Sequence, residues 1–330
     1  MSSIPPYVVA SSSAFGSRTV PSEEVDAAFG MPSGKLKDRA GIVSLAYALE
    51  DEDEGALATR ACAAVLQQAG ESASGVDCIV ASSETYHAYP SLAAVLHARL
   101  GLREGCGALD AGSGCLALLQ ALAVAQSMLV SGRGEKILVA TADVHSRTLG
   151  PGRARGEFGG LFGDGASAFL LQVKPTVPQQ VAWKLGEFFF GCAAQYAEAI
   201  SICEAEGGRL DIQFDGEALS RAAVNRMEKI LSEVERRSGF ARAAVAAFAT
   251  HQPNPRLVTL LAKQLGVPAS LFPPICATRG NLGSSMCGAA LHEALQSAAF
   301  CAEGKARPVF LASLGPGLLF GGGWVEPAGP

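Results

Sequence analysis

Two patterns of apolar and polar residues alternate along the chain, and together they predict an α/β fold. Short, nearly continuous apolar runs are typical of buried strands, and apolar residues spaced three and four apart are typical of amphipathic helices. The predicted strands are Tyr7–Ser12, Cys78–Ser83, Gly107–Ala111, Lys136–Asp143, Ala166–Val173, Val181–Phe190, Ala244–Thr250, Pro308–Ser313 and Leu318–Val325. The predicted helices are Glu23–Phe29, Ala56–Ala69, Ser91–Leu100, Cys115–Val130, Leu219–Arg237, Leu257–Leu265 and a last one that follows Asn281 and ends near Ala299. Strands that alternate with helices indicate a largely buried sheet with helices on its faces.

The second half of the chain repeats the order of the first. The helix ending at Gly101 matches the helix ending at Gly266, 165 positions later, and Gly114-Cys115 matches Gly280-Asn281 at an offset of 166. A nearly constant offset indicates a duplicated unit, so we predict two halves, residues 1–175 and 176–330. Packing about a pseudo-twofold axis would bring Cys115 and Asn281 to equivalent helix starts, with His251 beside them.

Composition limits the kind of protein further. The 330 residues are 49% hydrophobic and 17% charged, with a net charge of -5. Mild acidity without a basic block argues against nucleic acid as the main partner. The N-terminus lacks the features of a signal peptide, and no apolar run has the length of a membrane span. The nine cysteines show no metal-ligand spacing and no CxxC, so we expect a cytoplasmic protein with reduced thiols and no bound metal.

Cys115 is the candidate nucleophile. The small-residue turn Gly112-Ser113-Gly114 delivers this cysteine to the start of a long apolar helix. Free backbone N–H groups and the positive end of the helix dipole lie there, so we expect them to stabilise a thiolate and lower its pKa. The backbone N–H of Cys115 would form half of an oxyanion hole. The alternative is a buried cysteine that merely begins a core helix.

His251 and Asn281 give the cysteine its chemical context. An acyl group held on Cys115 could react with an enolate whose oxygen accepts hydrogen bonds from His251 and Asn281. A histidine can act as donor or base near neutral pH. We expect the remaining histidines to be surface residues or satisfied core residues: His87, His97, His145 and His292.

The order of these motifs resembles that of the thiolase superfamily and, within it, the β-ketoacyl-acyl-carrier-protein synthase III family. The motifs are Asp110-x4-Cys115, Gly163-Asp-Gly-Ala166, His251-Gln-Pro-Asn-Pro-Arg256, Gly280-Asn281 and Gly315-Pro-Gly317. The resemblance implies a thiolase-like five-layer αβαβα architecture, a homodimer and a catalytic triad of Cys115, His251 and Asn281. It also implies that an acyl group passes from coenzyme A to the cysteine and condenses with malonyl carrier protein, releasing carbon dioxide. No cofactor is implied.

The resemblance implies substrate-binding roles for five residues as well. Arg39, Tyr89, Leu118, Asn254 and Arg256 are expected to contact the acyl, pantetheine or coenzyme A portions of the substrate. Leu118 belongs to Cys-Leu-Ala-Leu, which replaces the family's Cys-Ala-Gly-Phe and would reshape the wall of the acyl pocket.

Two departures from the family pattern bear on the donor and on the oxyanion hole. Lys35 takes the place of the tryptophan that stacks on adenine, which makes a carrier-protein donor plausible beside coenzyme A. Pro316 has no N–H group, so we expect Gly317 to supply the second donor of the oxyanion hole.

Basic residues on one helix face suggest how a carrier protein would bind. Arg256 and Lys263 lie seven positions apart and therefore share a face. Together with Arg221, Arg226 and Lys229 they could dock an acidic carrier protein, or they could form an ordinary solvated face.

Glu84 is an acidic residue close to the position of a catalytic glutamate in a related group of enzymes. Glu84 lies one position from where 3-hydroxy-3-methylglutaryl-coenzyme A synthases place their catalytic glutamate. We expect it to be a surface loop residue.

Three functions are consistent with these residues. The first is decarboxylative condensation in fatty-acid-like, polyketide or other specialised metabolism. The second is transfer of the acyl group from Cys115 to an alcohol or amine. The third is a non-catalytic partner subunit of a heterodimeric synthase, which such an intact triad disfavours.

Overall fold

A computed structural model describes residues 5–112, 114–175, 182–193, 200–214, 216–296 and 307–328. The strands are β1 (Tyr7–Phe15), β2 (Arg18–Pro21), β3 (Ser44–Tyr47), β4 (Cys78–Ser82), β5 (Gly107–Asp110), β6 (Lys136–Val144), β7 (Asp164–Gln172), β8 (Trp183–Leu185), β9 (Phe189–Cys192), β10 (Ile200–Glu204), β11 (Leu210–Phe214), β12 (Ala247–Thr250), β13 (Val309–Gly315) and β14 (Leu319–Pro327). The α-helices are α1 (Ser22–Ala28), α2 (Glu54–Ala69), α3 (Leu92–Arg99), α4 (Ala117–Val130), α5 (His145–Thr148), α6 (Gly156–Gly159), α7 (Gly216–Ser238), α8 (Pro255–Leu265), α9 (Ile275–Arg279) and α10 (Met286–Gln296).

Ten of these strands form one hydrogen-bonded sheet. Its order is β12-β13-β14-β8-β1-β7-β6-β4-β5, with β9 also paired to β14. The short strand β8 joins the two halves, because it pairs antiparallel with β1 at Tyr7 and Val8 and with β14 at Val325. The strands of the two predicted halves are therefore joined into one hydrogen-bonded sheet at β8.

Three hydrophobic clusters define five layers. The first cluster packs α2 and α3 against one face of β1, β4, β6 and β7. The second places α4 and α10 between that part of the sheet and β12 and β13. The third packs α7 and α8 on the outer face of β12, β13 and β14. The layers thus run helix, sheet, helix, sheet, helix, which confirms the αβαβα architecture.

The duplication is visible at the two central helices. A 3-10 turn, Gly114–Leu116, precedes α4, and an equivalent turn, Gly283–Ser285, precedes α10. Each central helix is followed in the chain by an antiparallel pair, β6 with β7 and β13 with β14. Cys115 thus lies in the 3-10 turn, two residues before the start of α4.

The exact boundary between the two predicted halves, after residue 175, stays a prediction, because residues 176–181 are outside those described. Residues 297–306, near the predicted end of the last helix, are also outside them.

Local sequence explains the helix ends on which the site depends. Asp53 caps α2 through a hydrogen bond from the Ala56 amide at 2.6 Å, and Asn254 caps α8 through one from the Leu257 amide at 3.0 Å. Gly266 adopts a left-handed conformation and ends α8, as the sequence predicts.

The pattern analysis did not predict the antiparallel hairpin of β10 and β11. Its register pairs Ile200 with Phe214 and Glu204 with Leu210. The Leu210 amide donates to the Arg153 carbonyl at 2.9 Å, which ties the hairpin to the loop between α5 and α6. Within the described ranges, no helix has both the length and the apolar character needed to cross a bilayer.

Candidate active site

A cavity of about 570 Å³ lies where the two halves meet, and Cys115, His251 and Asn281 all line it. Most of the wall is apolar, and residues from α7, α8 and the β10–β11 hairpin close it. The apolar lining residues include Leu149, Phe158, Leu161, Phe162, Ile200, Ile202, Leu210, Val224, Met227, Leu257, Val258, Leu261, Leu314 and Leu318. The structure therefore brings the three residues of the predicted triad to one largely dry site.

The sheet order explains which side chains meet there. Strands β4, β5 and β6 are parallel neighbours, with β4 in the middle. Glu84, Cys115 and His145 follow the carboxyl ends of these three strands, so they converge at one edge of the sheet. His251 directly follows β12 and approaches from the other half.

Cys115 is anchored by the C-terminal half of the chain. The Ser313 hydroxyl donates a hydrogen bond to the Cys115 carbonyl at 2.7 Å. Gly315 lies against the cysteine backbone: a side-chain carbon placed there would be 3.6 Å from the Cys115 amide nitrogen. The turn that carries the nucleophile is thus held by β13.

The prediction of a lowered thiol pKa is wrong. Burial, the negative charge of Glu84 and a thiol-to-carboxylate hydrogen bond raise the pKa of Cys115 well above its usual value. The α-helix begins only at Ala117, and the nearby carboxylates oppose the dipole that the sequence suggested. Cys115 is therefore a thiol at neutral pH and must lose its proton when it reacts.

His251 is neutral in this site. Its backbone amide donates to the Ala312 carbonyl at 3.1 Å. Burial lowers the pKa of the imidazole to about 4, with the Glu84 charge opposing the shift and the His145 charge adding to it. Nδ1 is buried without a hydrogen-bond partner among the described residues. The tautomer with its proton on Nε2 avoids burying an unpaired N–H group and leaves a neutral donor for a ligand.

Asn281 is fixed by its own turn. Its Oδ1 accepts a hydrogen bond from the Gly283 amide at 3.1 Å, and its backbone pairs with Leu161 and Gly163. Because the carboxamide oxygen is occupied in this way, the side-chain NH₂ group remains as a donor for the cavity.

Glu84 and His145 are the site residues that sequence reasoning missed. Both line the cavity, and Glu84 Oε2 lies 3.5 Å from His145 Nε2. The Glu84 side chain is 19% exposed, so its expected place on a surface loop is wrong. His145 is fully enclosed and packs on Phe162, with ring centroids 4.6 Å apart. The signal that could have found them is their position after adjacent parallel strands.

Their pKa values describe an ion pair. Burial opposes the charge on His145, but the hydrogen bond to Glu84 and the charges of Asp143 and Glu84 outweigh it and raise its pKa to about 9. Burial likewise disfavours the Glu84 carboxylate, yet the hydrogen bond and charge of His145 hold the pKa of Glu84 below its usual value.

Asp143 helps to fix the position of the Glu84–His145 pair through hydrogen bonds. Its Oδ1 accepts the Glu84 amide at 2.6 Å, and its Oδ2 accepts the Ser284 amide at 2.8 Å and hydroxyl at 2.6 Å. Burial raises the pKa of Asp143 to about 6. Asp143 thus links the loop after β4 to the turn before α10.

Three predicted binding residues lie elsewhere. Tyr89 is 99% exposed on its loop. Leu118 is fully buried in the central helix layer, because its position as the second residue of α4 points it at Gly288 of α10 rather than at the cavity. Gly317 has a φ of +74° in the turn between β13 and β14 and is not a lining residue. Its neighbours Gly315, Pro316 and Leu318 line the wall instead.

Of the remaining predicted residues, one lines the cavity and three are exposed outside its lining. Asn254 lines the cavity, and its side-chain oxygen is used as the cap of α8. Arg39 and Arg256 are exposed and outside the lining, and Arg256 hydrogen-bonds the Asp38 carbonyl. Lys263 is exposed on α8.

Lys35, Arg221 and Arg226 are three further basic residues that the sequence singles out. Lys35 forms an ion pair with Glu157 at 2.6 Å, and the Arg226 guanidinium lies 4.9 Å from the centroid of the Phe320 ring. The Arg221 side chain is outside the described part of the structure.

Comparison with known proteins identifies the family. The family model of 3-oxoacyl-[acyl-carrier-protein (ACP)] synthase III matches residues 109–191, and the model of its C-terminal region matches residues 236–326. These matches together span more than half of the chain and both halves of the site. The protein therefore belongs to the 3-oxoacyl-[acyl-carrier-protein] synthase III family, whose members are condensing transferases.

Individual relatives agree with this assignment. The chain is 29% identical to the β-ketoacyl-[acyl-carrier-protein] synthase III of Rhodobacter capsulatus, over 87% of this chain and 88% of the relative. The solved synthase III of Pseudomonas aeruginosa has a TM-score of 0.85 at 24% identity, covering 98% of both chains. The priming β-ketosynthase of the R1128 polyketide pathway has a TM-score of 0.86 at 24% identity, covering 98% of this chain and 97% of the other. The two structures establish the thiolase-like fold.

Proposed function

We propose that this protein loads an acyl group onto Cys115 and condenses it with a malonyl-type thioester, releasing carbon dioxide. The convergence of Cys115, His251 and Asn281 on one cavity carries this proposal. A thiol can take an acyl group from a thioester, and the energy of the acyl-enzyme is retained for the second step. The chain's family supports the same reaction type.

The two other residues supply the chemistry of the second step. Decarboxylation leaves an enolate, whose oxygen needs hydrogen-bond donors in a site with little water. Neutral His251 and the Asn281 NH₂ group are donors that lose no proton during the reaction. The enolate carbon then attacks the acyl carbonyl on Cys115, and the cysteine leaves as a thiolate that regains a proton.

The apolar cavity favours an extended acyl chain as the group that is loaded. Burial of each methylene contributes about 0.8 kcal/mol, and most of the wall offers only carbon atoms to the ligand. The donor in this proposal is an acyl-coenzyme A or an acyl carrier protein. Arg256 and Lys263, exposed on α8, are the proposed contacts for an acidic carrier protein. We also propose a homodimer, which sedimentation of the purified protein would test.

One observation favours a second candidate, acyl transfer to an alcohol or amine. The Glu84 carboxylate faces the cysteine and could accept the proton that a hydroxyl or amine group must lose during attack. An enolate formed by decarboxylation needs no such base. Product analysis distinguishes the two reactions.

The first experiment measures the intact mass of the protein after mixing with acyl-coenzyme A and acyl-carrier-protein donors of increasing chain length. We expect an acyl adduct on the wild type and none on Cys115→Ala. Cys287→Ala is the matched control, because Cys287 is buried in the core beneath the site and should leave the adduct intact. An adduct that persists in Cys115→Ala contradicts the proposal, and no adduct from any donor favours a non-catalytic partner subunit.

A further inference from the structure

Glu84 is built into the site rather than carried on a mobile loop. Its backbone amide donates to Asp143 at 2.6 Å, and Oε2 pairs with His145 at 3.5 Å. Oε1 is buried and receives no N–H or O–H hydrogen bond from the described residues. It lies beside Gly114, where a side-chain carbon would be 4.0 Å away. A carboxylate oxygen with no N–H or O–H donor among the described residues therefore lies next to the residue that precedes the nucleophile.

A buried carboxylate oxygen that receives no N–H or O–H hydrogen bond costs free energy, and a thiol is a weak donor, so the position of this oxygen calls for a role. The neighbouring group with a proton to give is the Cys115 thiol. No thiolate is present beforehand, since the carboxylates around Cys115 disfavour one. A group that accepts the proton during attack would remove this barrier without stabilising a resting thiolate.

We propose that Glu84 is the general base for acylation of Cys115, with His145 as its positioning residue. The inference rests on the proposed loading of Cys115 but applies equally to condensation and to acyl transfer. As the cysteine sulfur bonds to the donor carbonyl carbon, its proton passes to Glu84. The donor's carbon–sulfur bond then breaks, and Glu84 returns the proton to the departing thiolate. The step consumes no other reactant.

His145 keeps Glu84 ready for this role. The enclosed imidazole is held on its other side by Phe162 and by the turn at Gly283, where a side-chain carbon would come within 2.3 Å of its ring. The ionisable groups that face Glu84 are Asp143 near the end of β6, His145 directly after that strand, Cys115 before α4, and His251 after β12. Asp164 acts on His145 from β7. The protonated His145 offsets the carboxylate charge that these groups would otherwise concentrate.

Two rates measured on Glu84→Gln give a test in which the expected changes have opposite signs. Alkylation of Cys115 by iodoacetamide, resolved by peptide mass spectrometry, proceeds through the thiolate. Loss of the carboxylate charge removes a cause of the raised thiol pKa, so alkylation at pH 7 should become faster. Acylation by the octanoyl thioester of N-acetylcysteamine should become slower, by about 100-fold, because the base is absent.

The controls separate the outcomes. Glu24→Gln changes an exposed carboxylate and should leave both rates unchanged. Circular dichroism and unfolding curves establish that Glu84→Gln is folded. If acylation becomes faster together with alkylation, the Glu84 charge only raises the pKa of the Cys115 thiol, and the assignment of Glu84 as the general base is overturned. If both rates are unchanged, the contact between the Glu84 carboxylate and the Cys115 thiol is refuted, and the proposal with it.

A second variant tests the positioning role. In His145→Gln the carboxylate loses its cation, so its pKa should rise and the acid limb of the acylation rate should move to higher pH. A profile that is lower at every pH but not displaced would mean that His145 is merely structural. A wild-type protein that no thioester acylates, while Glu84→Gln still accelerates alkylation, would contradict the proposed function and leave the thiol–carboxylate contact supported.

Discussion

The Ser313 hydroxyl donates a hydrogen bond to the Cys115 carbonyl at 2.7 Å, joining the last parallel strand of the C-terminal half to the nucleophile turn of the N-terminal half. Ser313 is fully buried, so its hydroxyl cannot turn to water if the Cys115 carbonyl is displaced. This bond connects the stability of the fold to the position of the nucleophile.

Ser313→Ala should therefore lower the free energy of unfolding by about 0.5–1.5 kcal/mol, the usual net contribution of an intramolecular hydrogen bond. Urea unfolding measures this change. Ser127→Ala is the matched control, because its exposed hydroxyl also donates to a helix carbonyl, that of Ala123 at 2.8 Å, but water can replace it. Equal changes in the two variants would show that the Ser313 bond has no special contribution.

The pH dependence of stability should reveal the charge on His145. Its pKa rises from an ordinary 6.5 to about 9 on folding. The folded state binds this proton more tightly, so the stabilisation is complete below pH 6.5 and is lost as pH rises from 6.5 to 9. Urea unfolding of the wild type and of His145→Gln should give curves that converge over this window. The exposed His87→Gln variant should follow the wild type, and curves for His145→Gln that stay parallel to it would refute the shift.

Chain-length selectivity should respond to the volume of the cavity. We expect the dissociation constant of acyl donors to fall by about fourfold per methylene, which corresponds to about 0.8 kcal/mol, until the cavity is full. Ala223 lines the cavity from α7, so Ala223→Leu should weaken binding of the longest chains and spare the shortest. Ala222→Leu, one residue earlier on the helix and outside the lining, is the control. Calorimetry on Cys115→Ala measures these constants without turnover, and equal losses for all chain lengths would place the acyl group elsewhere.

Charge reversal on α8 should identify the donor. Lys263→Glu places a negative charge on the proposed carrier-protein contact, so the KM for an acyl-carrier-protein donor should rise about tenfold, with little change for the N-acetylcysteamine thioester. Lys174→Glu is a matched control, since Lys174 follows the end of β7 that is remote from the cavity. A KM that is unaffected by Lys263→Glu would remove α8 from the docking surface.

Much of the fold could be predicted because its signals are local. Apolar runs and helical spacing located the strands of the main sheet, and glycines such as Gly101 and Gly266 marked helix ends. The hairpin of β10 and β11 is a small ribbon that a tertiary contact between Leu210 and Arg153 ties to the loop between α5 and α6. Its second strand, Leu210–Phe214, alternates apolar and polar residues, so this period of two is a local signal that could have revealed it.

The site was predictable only where a motif marked it. Cys115, His251 and Asn281 were found because duplication and motif order place them at equivalent positions. Glu84 and His145 were misjudged because residue type alone cannot show that two loops meet. The parallel pairing of β4 with β6 decides this, and it also reverses the expected pKa of Cys115.

Leu118 is a residue that the sequence placed at the site and the structure places in the core. Its closeness in sequence to Cys115 suggested the acyl pocket, but one helical turn rotates it into the core. A residue's distance along the chain from a nucleophile is thus a weak guide to the cavity that it faces.

Carbon–carbon bond formation on the Cys115 acyl group is tested by the identity of the product. Acyl-loaded protein is mixed with malonyl thioester labelled with ¹³C in the free carboxyl group, and the gas and the thioester products are analysed by mass spectrometry. Decarboxylative condensation should give labelled carbon dioxide and an unlabelled β-ketoacyl thioester in equal amounts, with neither from Cys115→Ala. An ester or amide formed from an added alcohol or amine, without labelled carbon dioxide, would contradict it.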